Sequence, residues 1–514
     1  MSDEPNFFYL RFIIITGIYN LLFSNVAVGN NKLPDPVIKV RTAQIYGNIS
    51  NLKLSEGEED VTIGVSVYNP ITGQNNYKTN LDKNNRFSLN VPLECSTAIV
   101  GFNVQTKTKG YVSCVVGLDQ DKELQMNIVF DDKGDMKIDA KGGLNLTSDD
   151  MKNIGQAIIL FDTHYTWGDY YKMTPEEFAE HELNISLKER TNIALDSLAL
   201  SEKIREYLVK SFNLGYFKGR LFYYKDAAEN SFKGAGIKIP ADYKAAEPEK
   251  SYYSFLSKFN LNDPQYLYSY SYSGFIKAFL SIKAFNIPQI NDMPVDEWLK
   301  VVKNKVKDVV GFDSGLFYDM LAANAYAIQL NYRNKPLTNK QLENIKYYYK
   351  DRNCGIEDIL IKNNKEIIKT LESNKDLKIN KTPAIAKEKL MDAIIAKYKG
   401  KVVLADFWAT WCGPCKSAFT DIIPLKKELK GEDVVFVYVS NVTSPKESWE
   451  AQIKVIGGEQ YYLTADEWEY ILNNLGFDSI PTYLLYDRSG VLKNKVTGFP
   501  GKDKMHEMIN KILP

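Results

Sequence analysis

The N-terminal third of the chain alternates apolar and polar residues with a period of two. The alternation is clearest in two runs, the first at Val61, Ile63, Val65 and Val67 and the second at Phe87, Leu89 and Val91. A period of two is typical of strands that bury one face, and turn residues such as Asn69-Pro70 separate the runs. Short strands spaced by turns predict an antiparallel β-sandwich over residues 36–147.

The period becomes helical after residue 148. Two sets of apolar residues each share one helix face: Ile204, Tyr207, Leu208 and Phe212, and then Trp298, Leu299, Val302 and Val306. Spacings of three and four residues predict an all-α region over residues 148–375. Four tyrosines conflict with this period because they alternate, at Tyr266, Tyr268, Tyr270 and Tyr272. They indicate either an aromatic platform for sugar or peptide, or aromatic packing between helices.

The last quarter of the chain alternates strand-like and helix-like segments, after a linker rich in lysine and asparagine. An apolar strand at Val402–Trp408 is followed by a helix-like stretch, and a helix–strand–helix pattern lies between Ser440 and Asn474. A strand at Tyr483–Tyr486, a hairpin turn, another strand and a terminal helix complete the order. Strands that alternate with helices predict an α/β domain over residues 380–514.

An apolar stretch near the N-terminus, Phe7–Phe23, is interrupted by polar residues such as Arg11 and Asn20. It is shorter than the roughly 20 apolar residues that a membrane-spanning helix needs. Small residues at Ala27-Val28-Gly29 match a cleavage site. We therefore predict a signal peptide over residues 1–29, a periplasmic protein and no stable membrane span. The alternative is an uncleaved N-terminus that anchors the protein in the membrane.

Composition and charge narrow the function classes. Of 514 residues, 44% are apolar and 25% are charged, as in soluble globular proteins. This length accommodates about three domains. Acidic and basic residues balance at 64 each, so no net field favours nucleic acid or an anionic membrane. We predict no nucleic-acid partner.

Five cysteines are too few for a disulfide scaffold. Cys95 and Cys114 both fall in the predicted β region, where they either form a disulfide or remain buried thiols. Cys354 is predicted to be a lone buried thiol. The remaining two, Cys412 and Cys415, form a Cys-Gly-Pro-Cys motif between a strand and a helix. A Cys-x-x-Cys pair at the start of a helix is the geometry of a reversible dithiol/disulfide.

Half of a structural zinc site is the rival interpretation of Cys412 and Cys415. The C-terminal region has no second Cys-x-x-Cys or Cys/His pair, and His506 alone cannot complete four ligands. The other two histidines, His164 and His181, lack the spacing of a metal motif. We therefore predict no metal and no cofactor.

The segment Ala405–Lys416, with Ile480-Pro481-Thr482 downstream, resembles thioredoxin and, more narrowly, the TlpA/ResA-like exported thiol-disulfide oxidoreductases. The resemblance covers the last quarter of the chain and implies a thioredoxin fold there. Cys412, nearer the helix start and more exposed, is then the attacking thiolate, because free N–H groups at a helix start favour the anion. Cys415 is implied to resolve the mixed disulfide.

The resemblance implies three further site residues. Asp406 is a buried carboxyl beneath the dithiol that accepts the proton of Cys415. The alternative for Asp406 is a strand-end carboxylate in solvent. Pro481 is cis, which leaves the backbone of Ile480 free to pair with a substrate strand. Trp411 shields the site and shapes the contact.

Several positions depart from the family pattern. Ala418 and Thr420 take the places of a glutamate and a proline that are common in the TlpA/ResA-like branch, and the nearest helix proline is Pro424. The thioredoxin lysine that approaches the buried aspartate from the next strand has no counterpart in Val434–Val439. These departures bear on the redox potential, on proton handling and on the choice of partner.

The predicted function is thiol-disulfide oxidoreduction. The Cys412/Cys415 dithiol reduces or exchanges disulfides of exported proteins and receives electrons from an unidentified donor. Gly413-Pro414 between the cysteines favours a reductant, and an isomerase or oxidase is the alternative within the enzyme class. A non-catalytic binding or assembly protein of the cell envelope that retains a redox fold is the alternative from another class. The sequence leaves open whether the protein is an oligomer. Upstream, Thr79–Leu89 is loosely similar to transthyretin-like modules.

Overall fold

The structure is a computed structural model that describes residues 32–52, 61–106, 110–132, 134–164, 168–352, 355–374 and 376–513. The predicted signal peptide and Cys354 lie outside the described residues. Two sheets come first along the chain, a helical region follows, and a third sheet with its own helices forms the C-terminal part.

Strands of the N-terminal part form two four-stranded sheets. The strands are β1 (Ile38–Ser50), β2 (Thr62–Asn69), β3 (Gly73–Asn80), β4 (Arg86–Cys95), β5 (Thr97–Thr106), β6 (Gly110–Asp119), β7 (Leu124–Phe130) and β8 (Met136–Gly142). One sheet has the order β4-β1-β7-β8 and the other β3-β2-β5-β6. Residues of both sheets, among them Ile45, Ile63, Phe102 and Met126, belong to one buried apolar cluster. The apolar positions of the alternating pattern therefore form a shared core.

One strand pair departs from the predicted antiparallel arrangement. β1 runs parallel to β7, with Ile45 beside Leu124, whereas the other ladders of these two sheets are antiparallel. Parallel neighbours need a long connection, and here β2 to β6 lie between the two strands in the sequence. Local alternation identifies strands but carries no information on pairing at such a distance.

Cys95 and Cys114 are free thiols. Both are buried, but Cys95 packs in the core of the helical region and Cys114 packs in the core between the two sheets. Because different cores enclose the two side chains, the disulfide alternative is wrong and both behave as small buried apolar residues.

The helical region follows the apolar periodicity of its sequence. Its α-helices are α1 (Ser148–Thr163), α2 (Pro175–His181), α3 (Leu187–Asp196), α4 (Glu202–Gly219), α5 (Tyr224–Gly234), α6 (Tyr272–Leu280), α7 (Val295–Val310), α8 (Leu316–Asn331), α9 (Asn339–Tyr349) and α10 (Ile356–Ser373). The predicted apolar faces of α4 and α7, including Phe212 and Trp298, are buried in one core. None of the helices in the described part of the chain is long and apolar enough to cross a membrane.

The alternating tyrosines lie in tight turns of the helical region. Tyr266 and Tyr268 belong to a 3₁₀ helix, Pro264–Tyr268, and Tyr272 begins α6. All three side chains are buried in the helical core. The Tyr268 hydroxyl lies 2.6 Å from Thr97 Oγ1, so it joins the helices to the sheets. These tyrosines therefore pack between elements and offer no exposed aromatic platform.

The C-terminal part is a six-stranded sheet with helices on both faces. Its elements are β9 (Lys378–Ile379), α11 (Leu390–Ala396), β10 (Val402–Phe407), α12 (Gly413–Glu428), β11 (Val434–Asn441), α13 (Lys446–Ile456), β12 (Glu459–Leu463), α14 (Ala465–Leu475), β13 (Thr482–Tyr486), β14 (Leu492–Thr497) and α15 (Lys502–Asn510). The sheet order is β14-β13-β10-β11-β12-β9. The predicted α/β domain and its extra helix–strand–helix segment, now α13-β12-α14, are both present.

Strand β10 lies near the middle of this sheet and separates two cores. Leu404 and Trp408 point into one apolar cluster, and Val403 and Phe407 point into the other. β10 runs parallel to β11 and antiparallel to β13. A strand buried on both faces has a continuous apolar sequence, which explains the pattern of Val402–Trp408.

Candidate active site

The Cys-Gly-Pro-Cys motif lies at the start of α12, after the loop that follows β10. The backbone N–H of Trp408 donates to the Val439 carbonyl over 3.0 Å, just beyond the end of β10. Cys412 then forms the N-cap of α12, with Pro414 in the first turn. Proline suits this position, because its fixed φ fits the helix and its missing N–H would have no helical partner there.

Cys412 and Cys415 form a disulfide, with their Cα atoms 5.3 Å apart. The backbone N–H of Cys415 donates to Cys412 Sγ over 3.1 Å. A helix N-terminus and its free donors stabilise negative charge, so the position favours a thiolate at Cys412 after reduction. Cys412 is 3% exposed and Cys415 is 1% exposed, so the predicted difference in exposure is small in this oxidised form.

Two loops border the disulfide. The Ile480–Pro481 bond is cis, and the Ile480 carbonyl oxygen lies 3.7 Å from Cys412 Sγ. Trp411 is 61% exposed, and its Nε1–H donates to Thr443 Oγ1 over 3.0 Å. The structure thus brings Pro481, Trp411 and the two sulfurs to one end of the sheet, with an exposed indole beside a nearly inaccessible disulfide.

Asp406 is 1% exposed and lies on β10 with Leu404. Both carboxyl oxygens lack a hydrogen-bond partner among the described residues. Burial raises the pKa of the Asp406 carboxyl well above its usual range, because the apolar surroundings disfavour the charged form. The alternative of a strand-end carboxylate in solvent is therefore wrong.

Comparison with known proteins adds an independent line of observation. The Redoxin family model matches residues 380–511. Thiol-disulfide oxidoreductase ResA of Geobacillus kaustophilus is 29% identical over 123 residues, which cover 23% of this chain and 68% of that protein. A thioredoxin of Rickettsia felis is 33% identical over 111 residues, which cover 22% of this chain and 81% of that protein.

The chain belongs to the thioredoxin family. The match lies in its C-terminal part. The similarity to the ResA proteins identifies the chain as a thiol-disulfide oxidoreductase, and this activity implies protein thiols as substrates. Among solved structures, the thioredoxin domain of a thiol-disulfide oxidoreductase from Bacteroides vulgatus is 21% identical, covers 23% of this chain and 84% of its own, and has a TM-score of 0.21.

The departures from the family pattern have clear places in this thioredoxin-family domain. Ala418 is buried in the same apolar cluster as both cysteines, so no carboxyl group reaches the disulfide from that position. Thr420 is exposed, and its hydroxyl donates to the Ser417 carbonyl over 2.7 Å. Pro424 lies inside α12.

Two tyrosines flank the buried aspartate, and no local pattern in the sequence marks them as site residues. In the sheet register Asp406 lies opposite Tyr438 of β11 and opposite Tyr483 of β13. Both side chains are buried. Burial, and then the carboxyl group of Asp406, raise the pKa values of both hydroxyls. The register of the three strands was the missing signal, because it alone shows that these residues share a face with Asp406.

The described residues contain no group of three or more His, Cys, Asp and Glu side chains arranged to hold a metal ion. His181 lies 3.2 Å from the buried Glu182, and His164 lies 3.6 Å from Glu189. His164 and His181 thus each have a carboxylate neighbour in the helical region.

Upstream segments contact the thioredoxin-family domain close to α12. Lys78 of β3 forms an ion pair with Asp421 of α12 at 3.3 Å. The Asn334 side chain donates to the Ala451 carbonyl of α13 over 3.0 Å. Burial, and then the charge of Lys416, lower the pKa of Lys277 in α6 to about 8. The residue that follows Cys415 therefore lies within electrostatic reach of the helical region.

Proposed function

We propose that the Cys412/Cys415 pair reduces or exchanges disulfides of exported proteins. The observation that carries the proposal is the disulfide at the start of α12, bordered by the Ile480–Pro481 loop and lying in one apolar cluster with residues of the Asp406 strand. A binding protein that only retained the fold would have no use for a buried carboxyl group without a partner among the described residues, on the strand that leads to the two cysteines.

The first step is attack by the Cys412 thiolate on one sulfur of a substrate disulfide. A bond forms between Cys412 Sγ and that sulfur, the substrate S–S bond breaks, and the other substrate sulfur leaves as a thiolate that takes a proton from water. The product is a mixed disulfide. The N–H of Cys415, 3.1 Å from Cys412 Sγ, stabilises the attacking anion before this step.

The second step resolves the mixed disulfide. The Cys415 thiol gives its proton to ionised Asp406, and its sulfur attacks Cys412 Sγ. The bond from Cys412 to the substrate breaks, and the remaining substrate sulfur leaves with the bonding electrons and is protonated by water. Two electrons have then passed from the dithiol to the substrate. The Cys412–Cys415 disulfide of the structure is the product of this step.

Substrate docks at the loops that border the disulfide. The Ile480 backbone lies beside Cys412, and Pro481 brings no N–H to that contact. Trp411 offers an exposed apolar surface next to Cys412. A substrate strand that pairs with Ile480 and packs on Trp411 places its disulfide against Cys412.

Gly413-Pro414 between the sulfurs favours the reducing direction, with an electron donor outside this chain. The catalytic groups all lie in the C-terminal domain, residues 380–514. The upstream parts, a sandwich domain over residues 36–147 and a helical domain over residues 148–375, select or recruit partners. Their contacts with α12 support this division.

The protein acts in the periplasm, after removal of residues 1–29. The apolar stretch Phe7–Phe23 and the Ala27-Val28-Gly29 pattern support this assignment. N-terminal sequencing of the native protein tests it. A chain that begins near Asn30 supports export, and a soluble cytosolic form that begins at Met1 contradicts it.

The test of the dithiol mechanism is a trapping experiment. The Cys415→Ser variant cannot resolve mixed disulfides, so substrates should remain bound through Cys412 and be released by reductant. Cys412→Ser should trap nothing, and Cys114→Ser, which alters a buried thiol far from the site in sequence, should turn over like the wild type. Equal trapping by the Cys412→Ser and Cys415→Ser variants would refute the assigned roles.

A further inference from the structure

Asp406 lies between two tyrosines on neighbouring strands. Tyr438 of β11 and Tyr483 of β13 are its direct partners in the sheet register. Side chains at directly opposite register positions point to the same face of a sheet. That face carries both cysteines, since Tyr438, Tyr483, Cys412 and Cys415 belong to one buried apolar cluster.

All three polar side chains lack a hydrogen-bond partner among the described residues. This holds for both oxygens of Asp406 and for the hydroxyls of Tyr438 and Tyr483. Most buried polar side-chain atoms in proteins have a partner, because burial without one costs free energy. Three such side chains at adjacent register positions, in the core that contains a disulfide, indicate that they act together.

Among the described residues, no cation contributes to the raised pKa of Asp406, whose cause is burial. Tyr438 comes from β11, Tyr483 from β13, and Cys412 and Cys415 from α12. Beyond Tyr438, an ion pair between Asp376 and Lys426 at 2.9 Å lies at the other end of α12. The charge of Asp376 also raises the pKa of the Tyr438 hydroxyl, after burial and Asp406.

We propose that Tyr438 and Tyr483 are positioning residues for Asp406. Their hydroxyls donate, through a bridging water, to the carboxylate that accepts the Cys415 proton. The proposal rests on the proposed function, because it concerns the proton transfer of the resolving step. The proton passes from Cys415 Sγ to a carboxyl oxygen of Asp406, and neither tyrosine changes its oxidation state or its charge.

Two opposing effects, burial and hydrogen bonding, set the fraction of Asp406 that is ionised. Burial alone disfavours the carboxylate, so a carboxyl group with no donors would stay protonated and could accept nothing. Hydroxyl donors stabilise the ionised form and raise the fraction of Asp406 that is available as a base. Neutral donors do this without adding a second charge to the core, where an unpaired ammonium group would be costly.

The test compares Tyr438→Phe and Tyr483→Phe with Tyr486→Phe. Tyr486 lies on the same strand as Tyr483 but in the cluster on the opposite face of the sheet, so it is a matched control. The measured quantity is the rate of the resolving step against pH, from single-turnover reduction of a peptide disulfide by reduced full-length protein. Loss of one donor should lower the rate near neutral pH about threefold to tenfold and move the rise of the profile to higher pH by about half a unit to one unit.

Loss of one water-bridged hydrogen bond should leave each variant folded, because a single such bond is a small part of the net stability of a domain. Thermal unfolding checks this for each variant. The ¹³C shift of the Asp406 carboxyl against pH gives a second measurement that needs no turnover. Its midpoint should rise in both Tyr→Phe variants and stay unchanged in Tyr486→Phe. Each single variant tests the proposal by itself.

The outcomes separate this proposal from the proposed function. If Asp406→Asn slows the resolving step but Tyr438→Phe and Tyr483→Phe leave both the pH profile and the carboxyl titration unchanged, the positioning role is wrong and the dithiol mechanism stands. If Asp406→Asn has no effect, or if Cys412→Ser still reduces disulfides, the proposed mechanism itself is wrong.

Discussion

The backbone N–H of Cys415 lies 3.1 Å from Cys412 Sγ and donates to it. This contact gives two nearly inaccessible sulfurs different chemistry. Cys412 Sγ receives a donor from the first turn of α12, where the helix dipole also favours an anion. Both sulfurs lie in the same apolar core, which favours neutral thiols, so the donated N–H is what distinguishes Cys412 from Cys415. The order of the two chemical steps follows from this asymmetry.

We expect Cys412 to be the one rapidly alkylated thiol of the reduced protein near neutral pH. Burial raises the pKa of the Cys114 thiol to about 12 and that of Cys95 further, so neither forms a thiolate in the folded state. Mass mapping after brief iodoacetamide treatment measures this. Labelling of Cys415 or Cys354 before Cys412 would contradict the assigned roles. Unfolding in denaturant, as a positive control, should expose Cys95 and Cys114.

Asp406→Asn should slow dithiol exchange, because the amide keeps the shape of the side chain and cannot accept the Cys415 proton. General-base catalysis typically contributes about 10²-fold or more, and we expect the lower end because water shares the task. Stopped-flow exchange with a peptide disulfide measures the rate. A variant rate equal to that of the wild type from about pH 6 to about pH 8 would show that another group accepts the proton.

The sequence predicted the C-terminal domain well because two kinds of signal agreed there. The apolar run Val402–Trp408 gave a strand buried on both faces, and the Cys-Gly-Pro-Cys motif placed the helix start at Cys412. Asp406 could be assigned to the buried side of that strand from its place in the motif. These features depend on residues close together in the chain, so local patterns are enough to find them.

Other features depend on pairing across long distances. The parallel pair β1–β7 joins segments separated by five other strands, and Tyr438 and Tyr483 meet Asp406 only through the register of three strands. Whether Cys95 and Cys114 form a disulfide depends on which core each side chain enters. Alternation gives a strand and its two faces, but it does not give the neighbouring strand.

We expect Asp406→Asn to be more stable than the wild type at neutral pH. Burial raises the pKa of Asp406 in the folded state above its unfolded value of about 3.9. Proton binding to Asp406 therefore stabilises the folded protein, and this contribution is complete only below the unfolded pKa. That contribution falls by about 1.4 kcal/mol per pH unit as the pH rises towards the folded-state pKa. The amide of the variant has no such dependence. The difference in the free energy of unfolding should therefore grow from about pH 4 upward.

Denaturant unfolding at several pH values measures this difference. Glu94, whose pKa burial raises to about 7, contributes to the pH dependence of both proteins and cancels in the comparison. A difference that is constant with pH would mean that Asp406 titrates alike in the folded and unfolded states, against its observed burial.

The thioredoxin-family domain should fold independently of the rest of the chain. Its two apolar clusters contain residues of the C-terminal part alone, apart from Leu377 in the preceding linker. Among the described residues, its contacts with upstream segments include the partly exposed ion pair of Lys78 with Asp421 and the hydrogen bond of Asn334 to the Ala451 carbonyl. Exposed ion pairs contribute about 1 kcal/mol or less, so their loss should not unfold a domain that has its own core.

A fragment of residues 376–514, which retains β9 as the partner of β12, should therefore fold alone and reduce insulin at a rate close to that of the full-length protein. Insulin is a generic substrate that needs no upstream surface. The substrates trapped by the full-length Cys415→Ser variant should instead react more slowly with the fragment, because β3 and α6 lie beside the helix that carries Cys415 and contribute to docking. Circular dichroism and thermal unfolding confirm that the fragment is folded. A folded fragment that is inert on insulin would place part of the catalytic machinery upstream. Equal rates of the fragment and the full-length protein on every substrate would show that the upstream domains do not select partners.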